Sequence, residues 1–459
     1  MKFRRFNLSD SLKNVVKISG GTVIGQIISI ITLPIITRIY GAEVMGIWAT
    51  ILSVALILQA VSDWGMTNSL MIEENEKQII TSYAIITTLT LITSLMASVV
   101  IFPFFYFIKG YNIVTSIIYT FFTVVYAFSV KQVNIAYTLL NRDKKYNVLM
   151  RNPIINYSFV ALISILFWKL GFITYGYYFG IIVGQFLTLI NMRLVLPKVF
   201  FNLEIKKYIE LINRYRDFLM YQTPSNLMLQ LRDQLPNILI GFLFGDKMLG
   251  YYSVSVRILN MPVTFIGQAI GKVFYQKISE MNRREEKIDV FVRRNFTRAI
   301  FLSIFPVVAL FAAGDIVAVL FFGTDYYLAG QMLRIIVFKT VLTFISTCMQ
   351  GLEIVLRKQQ YALLTTCTQM ILSSVAIIIG FYFSKNIFVV LIIMIIFYIL
   401  IQLVYYSRLF AFMKLSTKVI VRDISMLFII TLLAGSIFRY LIVIIIQSLN
   451  IKYLQWFVM

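Results

Sequence analysis

Long apolar runs recur along the whole chain and limit the folds that it can adopt. Clear examples cover residues 15–36, 79–108 and 362–383. A helix needs roughly 20 apolar residues to cross a hydrocarbon core about 30 Å thick, and these runs meet that length. Hydrophobic residues make up 59% of the 459-residue chain and charged residues 14%, whereas soluble domains are roughly half apolar and one quarter charged. The sequence therefore predicts an all-α, polytopic membrane protein.

Thirteen membrane helices are predicted from these runs. The first run is too long for the apolar core of a cleavable signal peptide, so we expect it to remain as a helix. The predicted helices lie near residues 14–36, 44–66, 79–108, 112–140, 150–168, 174–196, 217–243, 248–276, 295–321, 327–355, 360–383, 387–407 and 424–447.

The net charge of +22 is concentrated on one set of connections between the predicted helices. Under the positive-inside rule, this asymmetry places the N-terminus in the cytoplasm. We attribute the excess charge to topology and to attraction by anionic membrane lipids, not to nucleic-acid binding. The basic connections hold Lys2, Arg4, Arg5, Lys13, Arg142, Lys144, Lys145, Lys198, Lys206, Lys207, Arg214, Arg216, Arg283, Arg284, Lys287, Arg293, Arg294, Arg357, Lys358, Arg408, Lys414, Lys418 and Arg422, and the opposite ones hold single cations.

Two classes of site are excluded by composition. The chain has no histidine, which rules out a Ser-His-Asp triad and a His-based metal site. Cys348 and Cys367 lie in apolar segments without metal-ligand spacing, and we expect them to be small core residues. We therefore expect no catalytic residues, no bound metal and no cofactor.

A ten-residue phrase occurs twice, as YGAEVMGIWA from position 40 and as FGDKMLGYYS from position 244. Glycines align at Gly41 with Gly245 and at Gly46 with Gly250, and each phrase joins two apolar runs. We interpret these four glycines as parts of tight turns between membrane helices. The phrases are six predicted spans apart, so the two halves run in the same direction and form a parallel repeat.

This repeat defines the expected domain organisation. An N-terminal six-helix lobe covers residues 1–196, and a C-terminal six-helix lobe covers 217–410. The linker at 197–216 is expected to lie at the cytoplasmic membrane interface, with Leu203, Tyr208, Leu211 and Ile212 on its apolar face. The alternative is a solvated linker whose charges only orient the protein in the membrane. Residues 411–459 hold one or two additional helices.

The second-half run FGDKMLGYYSVSVRILNMPVTFIGQAI, the shared glycine turn and the two parallel bundles resemble polysaccharide exporters of the Wzx type. These belong to the superfamily of the multidrug and toxic compound extrusion transporters and the lipid II flippase. The resemblance covers about residues 10–410. It implies 12–14 helices in two lobes around a central cavity, in the cytoplasmic membrane of a bacterium.

The resemblance also implies the function and the partners. A non-enzymatic flippase would move an undecaprenyl-diphosphate-linked oligosaccharide, such as an O-antigen or capsule unit, to the outer leaflet by alternating access. A proton or a sodium ion would be the coupling ion, and polysaccharide polymerase machinery would use the product. The chain has no phosphate-binding loop of the G-x-x-x-x-G-K-[ST] type, which disfavours direct use of ATP.

Ionisable residues within membrane spans are costly and usually face a cavity or a partner. Cations in such positions suit an anionic substrate, because guanidinium groups bind phosphate oxygens in pairs. The predicted substrate-binding cations are Arg257, Arg334, Arg232, Lys339 and Lys131.

The predicted coupling residues are the acids Asp63, Asp233 and Glu353. Structural roles compete with these predictions: Lys131 would extend to the membrane interface, and Asp63 would lie hydrated at a helix end. Arg232 and Asp233 point about 100° apart on a helix, so each is expected to pair with a different helix.

Two other functions compete with the flippase. A drug or cation antiporter of the sister family would use carboxylates in its cavity, and the cations predicted here disfavour it. A membrane enzyme of polysaccharide assembly would favour a large outer loop or a carboxylate cluster at the interface, and the sequence has neither.

Overall fold

A computed structural model describes residues 8–198 and 204–448, with side chains from residue 20 onward, and all regular secondary structure within them is helical. The helices are α1 (Leu8–Val61), α2 (Ser69–Ile72), α3 (Glu76–Pro103), α4 (Ile113–Arg142), α5 (Tyr146–Lys169), α6 (Gly176–Arg193), α7 (Ile205–Arg214), α8 (Thr223–Leu243), α9 (Asp246–Pro262), α10 (Gln268–Arg283), α11 (Asp289–Phe322), α12 (Tyr327–Cys348), α13 (Leu352–Val355), α14 (Gln359–Ser384), α15 (Ile387–Phe412) and α16 (Thr417–Ser448).

The all-α membrane fold is confirmed. Nine helices of the described residues are long and apolar enough to cross a membrane. Large apolar side chains also cover the outer faces, for example Phe301 at 75%, Phe305 at 81% and Phe383 at 86% exposure. Apolar exposure on this scale along so many helices requires a hydrocarbon surrounding. The chain is a multi-pass membrane protein.

Each of the thirteen predicted spans coincides with helix, but two of the predicted ends are wrong. The span predicted at 327–355 is interrupted after Cys348, where Gly351 takes a φ of 82° before the short helix α13. In the span predicted at 44–66, the helix ends at Val61 and the residues after it form a turn. A fourteenth helix would lie beyond residue 448, outside the described residues.

Gly41 and Gly245 share one backbone conformation. Gly41 has φ 75° and ψ 171° within α1, which it divides into two helices, and Gly245 has φ 85° and ψ 168° before α9. Gly323, with φ 101° and ψ 168°, is a third example, which comparison of the two repeated phrases did not predict. This region is accessible almost only to glycine. Gly46 and Gly250 lie inside helices and are buried, so they do not form the turns themselves.

Aromatic residues of the first phrase fix the loop to neighbouring helices. The Tyr40 hydroxyl donates to the carbonyl oxygen of Ser164 at 2.6 Å. Trp48 stacks on Tyr178 with ring centroids 5.5 Å apart, and the Tyr178 hydroxyl donates to the carbonyl oxygen of Val44 at 3.1 Å. These contacts join α1 to α5 and α6, which explains why the phrase requires aromatic residues.

The chain forms two compact units, Met1–Gln234 and Leu235–Met459. The predicted lobe boundaries at 196, 216 and 410 stay predictions. Within the first unit, the linker helix α7 packs on protein: Leu211 is 6% exposed, and Tyr208 and Ile212 contact the same apolar cluster. Leu203 lies outside the described residues. The linker is therefore anchored to the first unit and not only to the membrane interface.

A carboxylate outside the membrane spans strengthens this anchor. Glu73, in the connection between α2 and α3, accepts hydrogen bonds from Arg214 at 3.0 Å and from the Tyr215 hydroxyl at 2.9 Å. Burial alone would raise the pKa of Glu73. The hydrogen bonds from Tyr215, the Asn75 backbone and Arg214, together with the Arg214 charge, outweigh burial and lower this pKa below its ordinary value of 4.5.

We expect Glu73→Gln to lower thermal stability at neutral pH and to lose its effect in acid. Because the pKa of Glu73 is lowered by folding, its stabilisation is complete above pH 4.5 and disappears as the pH falls through the folded-state pKa. Thermal unfolding of wild type and variant from pH 7 down to pH 3 measures this. The control is Glu210→Gln, at an exposed position on α7. A stability difference independent of pH would contradict the prediction.

Gly245→Ala should destabilise the protein by about 1–3 kcal/mol, the cost of an alanine in a backbone region that only glycine favours. Space is not the cause, since no heavy atom lies within 4 Å of an added Cβ at this position. Gly20→Ala is the matched control, because Gly20 also has open space and its φ is not positive. Thermal unfolding in detergent should separate the two variants. Equal stability would show that the Gly245 conformation carries no strain.

Candidate functional site: charged residues within the helices

The helices α8, α9 and α10 are the most polar of the long helical segments. None of them is among the nine apolar spans of the described residues. Together they cover residues 223–283 except for short connections, and they carry Arg232, Asp233 and Arg257. A membrane helix that keeps charges over its length needs water or protein around them. This makes the polar segment the first place to look for a substrate path.

Irregular turns border these helices. Residues 218–222 and 263–267 form single π-helical turns, the first ahead of Pro224 and the second directly after Pro262. Proline has no N–H group, so it breaks the regular hydrogen-bond ladder and the helix widens locally. Such π turns occur often at functional sites. The helix is therefore irregular next to these two prolines, while Pro236 lies buried within α8.

Arg232 and Asp233 bind each other, which contradicts the expectation of separate partners. Arg232 Nε lies 2.8 Å from Asp233 Oδ1, and the two side chains are 31% and 51% exposed. The flexible Arg232 side chain spans the angle between the neighbouring positions, so helix geometry alone did not decide the pairing. Gln234, the next residue, accepts a hydrogen bond from Ser53 at 3.0 Å. An ion pair this exposed within a membrane helix requires a hydrated surrounding.

Arg257 lies in the middle of α9, with an exposed side chain. The opposite face of the helix is buried. There Ser255 donates a hydrogen bond to the carbonyl oxygen of Ala329 at 2.6 Å, which fixes α9 against α12. Arg257 is therefore exposed on a helix whose orientation is held by buried contacts.

Lys131 and Asp63 form a buried ion pair in the first unit. Lys131 Nζ lies 2.6 Å from Asp63 Oδ1, and the side chains are 7% and 2% exposed. Asp63 also accepts from the Thr67 hydroxyl and from the backbone N–H groups of Gly65 and Thr67. Both structural alternatives are wrong in detail: Lys131 does not extend to the interface, and Asp63 is not hydrated. The pair joins α4 to the turn after α1.

Next to Lys131, Gln132 continues the polar network across three helices. Its amide nitrogen donates to the Thr90 hydroxyl at 3.0 Å, and its amide oxygen accepts from Arg193 at 2.8 Å. The Arg193 guanidinium lies 5.3 Å from the centre of the Tyr83 ring. Buried polar networks of this kind hold helices in one arrangement when their members are hydrogen-bonded. This network could not be predicted from the sequence, because single glutamines and threonines do not indicate which side chains they contact.

The second unit contains a buried charge cluster on α11, α12 and α16. Asp315 is fully buried, and its carboxylate lies 3.0 Å from Arg439 and 3.8 Å from Arg334. Arg334 Nε also donates to the carbonyl oxygen of Phe311 at 2.7 Å. Two arginines around one aspartate leave a net positive charge within these helices. Arg334, predicted to bind substrate, is thus held by protein groups.

Sequence reasoning missed Asp315 and Arg439, although both lie within predicted spans. The same criterion that selected the other deep charges, an ionisable residue inside an apolar run, would have found them. Only the structure shows that three distant positions in sequence meet, because their contact depends on how α16 packs against α11. This contact fixes α16 to the second unit.

Lys339 and Glu353 lie elsewhere in the second unit. Lys339 Nζ is 5.5 Å from the centre of the Tyr398 ring, and the Tyr398 hydroxyl pairs with the Thr343 hydroxyl at 3.0 Å. Glu353 lies in the short helix α13 after the interruption of the predicted span, where it forms a side-chain hydrogen bond with Tyr405.

The balance of these charges is cationic. The three carboxylates Asp63, Asp233 and Asp315 each lie within 4 Å of a lysine or arginine. None of the described residues forms a group of three or more histidine, cysteine or acidic side chains able to hold a metal ion. These three carboxylates are therefore neutralised by neighbouring cations. This arrangement favours a negatively charged ligand over a positively charged one.

Comparison with known sequences gives the family. The profile of a family described as "Polysaccharide biosynthesis protein" matches residues 35–329, which is more than half of the chain. The chain belongs to this family. A comparison with curated protein sequences finds no match. The matched region includes both glycine phrases and the polar helices α8 to α10.

Several solved structures have a fold similar to that of this chain. An inward closed conformation of the lipid II flippase MurJ superposes with a TM-score of 0.68 at 13% identity, covering 96% of this chain and 100% of that one. An outward-facing multidrug resistance MATE transporter of the MOP superfamily gives 0.56 at 15%, covering 87% and 96%. A MOP superfamily transporter from Pyrococcus furiosus gives 0.52 at 14%, covering 88% and 97%. The family member therefore has the fold of this superfamily.

We expect Asp315→Asn and Arg439→Met to be strongly coupled. Asp315→Asn leaves two arginines without their acid, and Arg439→Met leaves the buried Asp315 with only the more distant Arg334, whereas the double variant removes both partners of the shortest contact. A double-mutant cycle on thermal stability should give a coupling energy of about 0.5–3 kcal/mol, as for residues in direct contact. Arg408→Met, an exposed cation on α15, serves as the control for loss of one charge. Strict additivity would show that Arg439 does not stabilise Asp315.

Proposed function

We propose that this protein is a flippase for an anionic lipid-linked oligosaccharide. Its substrate would be an undecaprenyl-diphosphate-linked repeat unit, and it would carry this unit from the cytoplasmic to the outer leaflet by alternating access. Membership in the polysaccharide biosynthesis family and a fold like that of the lipid II flippase support this class of transporter. The proposed location is the bacterial cytoplasmic membrane, with the N-terminus in the cytoplasm.

The observation that carries the proposal is the polarity of the deep charges. Asp63, Asp233 and Asp315 are all neutralised by cations, and Arg257 adds an exposed guanidinium on α9. A diphosphate group needs donors of this kind, because phosphate oxygens bind arginine through paired, charge-assisted hydrogen bonds. Amides on the same polar segment, such as Gln230 and Asn260, suit the hydroxyl groups of a sugar chain.

Transport of drugs or organic cations is the second candidate, because the fold is shared with MATE transporters. That function would require a carboxylate that is free to bind a positive substrate, and the three deep carboxylates are instead paired. The Pyrococcus furiosus transporter is described as having a binding pocket of reverse polarity that suggests a different function. The cationic helices of the present chain likewise favour a substrate other than an organic cation.

Coupling to a proton or a sodium ion is part of the proposal. Asp233 is the best placed of the three predicted acids, since its side chain is 51% exposed and an ion can reach it from water. Asp63 is sealed by Lys131, with an exposure of 2%, and Glu353 is held by Tyr405. A non-enzymatic transporter of this kind would pass its product to polysaccharide polymerase machinery.

Complementation tests the proposal through Arg257. In a strain that lacks its own repeat-unit flippase, wild type should restore surface glycan, and Arg257→Ala should reduce it by about tenfold or more, since one charged hydrogen bond to phosphate contributes about 1.5–3 kcal/mol. Arg257→Lys should recover part of the export because it keeps the charge. Protein levels in the membrane are matched by immunoblot, and Arg408→Ala is the control for loss of an exposed arginine.

Two outcomes would count against the proposal. Full export by Arg257→Ala would remove this residue from the substrate path. Failure of a well-expressed wild type in strains with several different repeat units, together with resistance to cationic drugs, would replace the flippase by the antiporter.

A further inference from the structure

A basic groove lies in the second unit where α11 begins. Two adjoining depressions, of about 440 and 750 Å³, share Arg294 and Arg298 in their walls. Arg293 and Asp289 line the larger one, and Leu415 from the connection before α16 closes its side. The groove therefore collects three guanidinium groups from one helix, two from consecutive residues and the third from the next turn.

These three arginines are not used by the protein itself. Within the described part of the chain, Arg293, Arg294 and Arg298 form no ion pair and no side-chain hydrogen bond. Arg284, at the same end, instead pairs with Glu280 at 2.6 Å. Three adjacent guanidinium groups repel one another unless an anion lies between them. Their common position in one groove therefore indicates an anionic ligand.

Apolar side chains continue from the basic groove along the same helix face. Val290 is 63% exposed, Phe301 75% and Phe305 81%, and Val273 on α10, at 69%, lines the smaller depression. From Arg294 to Phe305 the helix rises roughly 16 Å at 1.5 Å per residue, close to half of a hydrocarbon core about 30 Å thick. Charge at the helix end and exposed apolar surface deeper in the membrane match the two parts of a phospholipid.

We propose that this groove, formed by Arg293, Arg294, Arg298 and the α11 face as far as Phe305, binds an anionic phospholipid of the surrounding leaflet. The phosphate lies between Arg294 and Arg298, which border both depressions, and an acyl chain follows Phe301 and Phe305. Asp289 Oδ1, which has no hydrogen-bond partner among the described groups, accepts from a hydroxyl of the headgroup. A glycerol headgroup supplies such a hydroxyl, so phosphatidylglycerol is the favoured class.

This site is distinct from the proposed transport path. It lies at the end of α11, whereas the deep cation Arg257 belongs to α9. A bound lipid would contact α10, α11 and the connection before α16 at once, because all three contribute to the walls. Its binding would therefore hold these elements together at the membrane surface, whichever substrate the protein carries.

Native mass spectrometry of the full-length protein in detergent tests the site with added phosphatidylglycerol or phosphatidylcholine. Wild type should retain phosphatidylglycerol, and Arg294→Gln/Arg298→Gln should weaken its binding by about tenfold or more, as expected from loss of charged hydrogen bonds to phosphate. Arg283→Gln/Lys287→Gln removes two exposed charges from the same end and is the matched control. Thermal unfolding confirms that each variant is folded.

The results separate a specific site from general attraction. Equal loss in the control variant, or equal binding of phosphatidylcholine by wild type, would overturn the proposal. Undecaprenyl phosphate is the third probe: if it displaces phosphatidylglycerol at lower concentration from wild type, and not from the Arg294/Arg298 variant, the groove belongs to the lipid-linked substrate and not to a resident lipid. Weak competition by undecaprenyl phosphate supports a resident phospholipid.

Discussion

Charges inside a membrane helix have no water to solvate them unless the fold supplies a hydrated space or a partner. The rest of this structure depends on how that constraint is met. Asp63 and Asp315 are almost completely buried, and each is neutralised by a cation from another helix. These pairs fix α4 beside the turn after α1, and α16 beside α11. Because breaking a buried pair strands a charge, each contact stabilises one arrangement of its helices.

Charges that are not buried have a different consequence. Arg232 and Asp233 pair with each other while both stay partly exposed, and Arg257 is exposed in the middle of α9. They lie on the polar segment formed by α8, α9 and α10. Prolines and the π turns at residues 218–222 and 263–267 make the backbone irregular there. Polar residues, irregular backbone and exposure thus coincide in one part of the chain. This coincidence, within a polysaccharide biosynthesis family, is the physical basis for proposing an anionic glycolipid substrate.

The linker and the basic groove show how charged residues are used near the membrane surface. In the first unit, α7 is held by Leu211 and by the Glu73 carboxylate, so the linker packs on protein instead of lying only on lipid. In the second unit, Arg294 and Arg298 remain without partners from the described protein. Cations near the membrane surface therefore have two roles here. Some form contacts within the protein, and others are exposed to lipid phosphate groups.

The sequence by itself determined the helical membrane fold, the approximate spans and the glycine turns at Gly41 and Gly245, because segment length, hydropathy and the special backbone needs of glycine are local properties. The resemblance to polysaccharide exporters also followed from local phrases. Tertiary structure alone decided which charges meet. Lys131, predicted either to bind substrate or to extend to the interface, is buried against Asp63, and Asp315 joins Arg334 and Arg439 from two other helices. Pairing depends on helix packing across long sequence separations, and apolar periodicity carries no record of it.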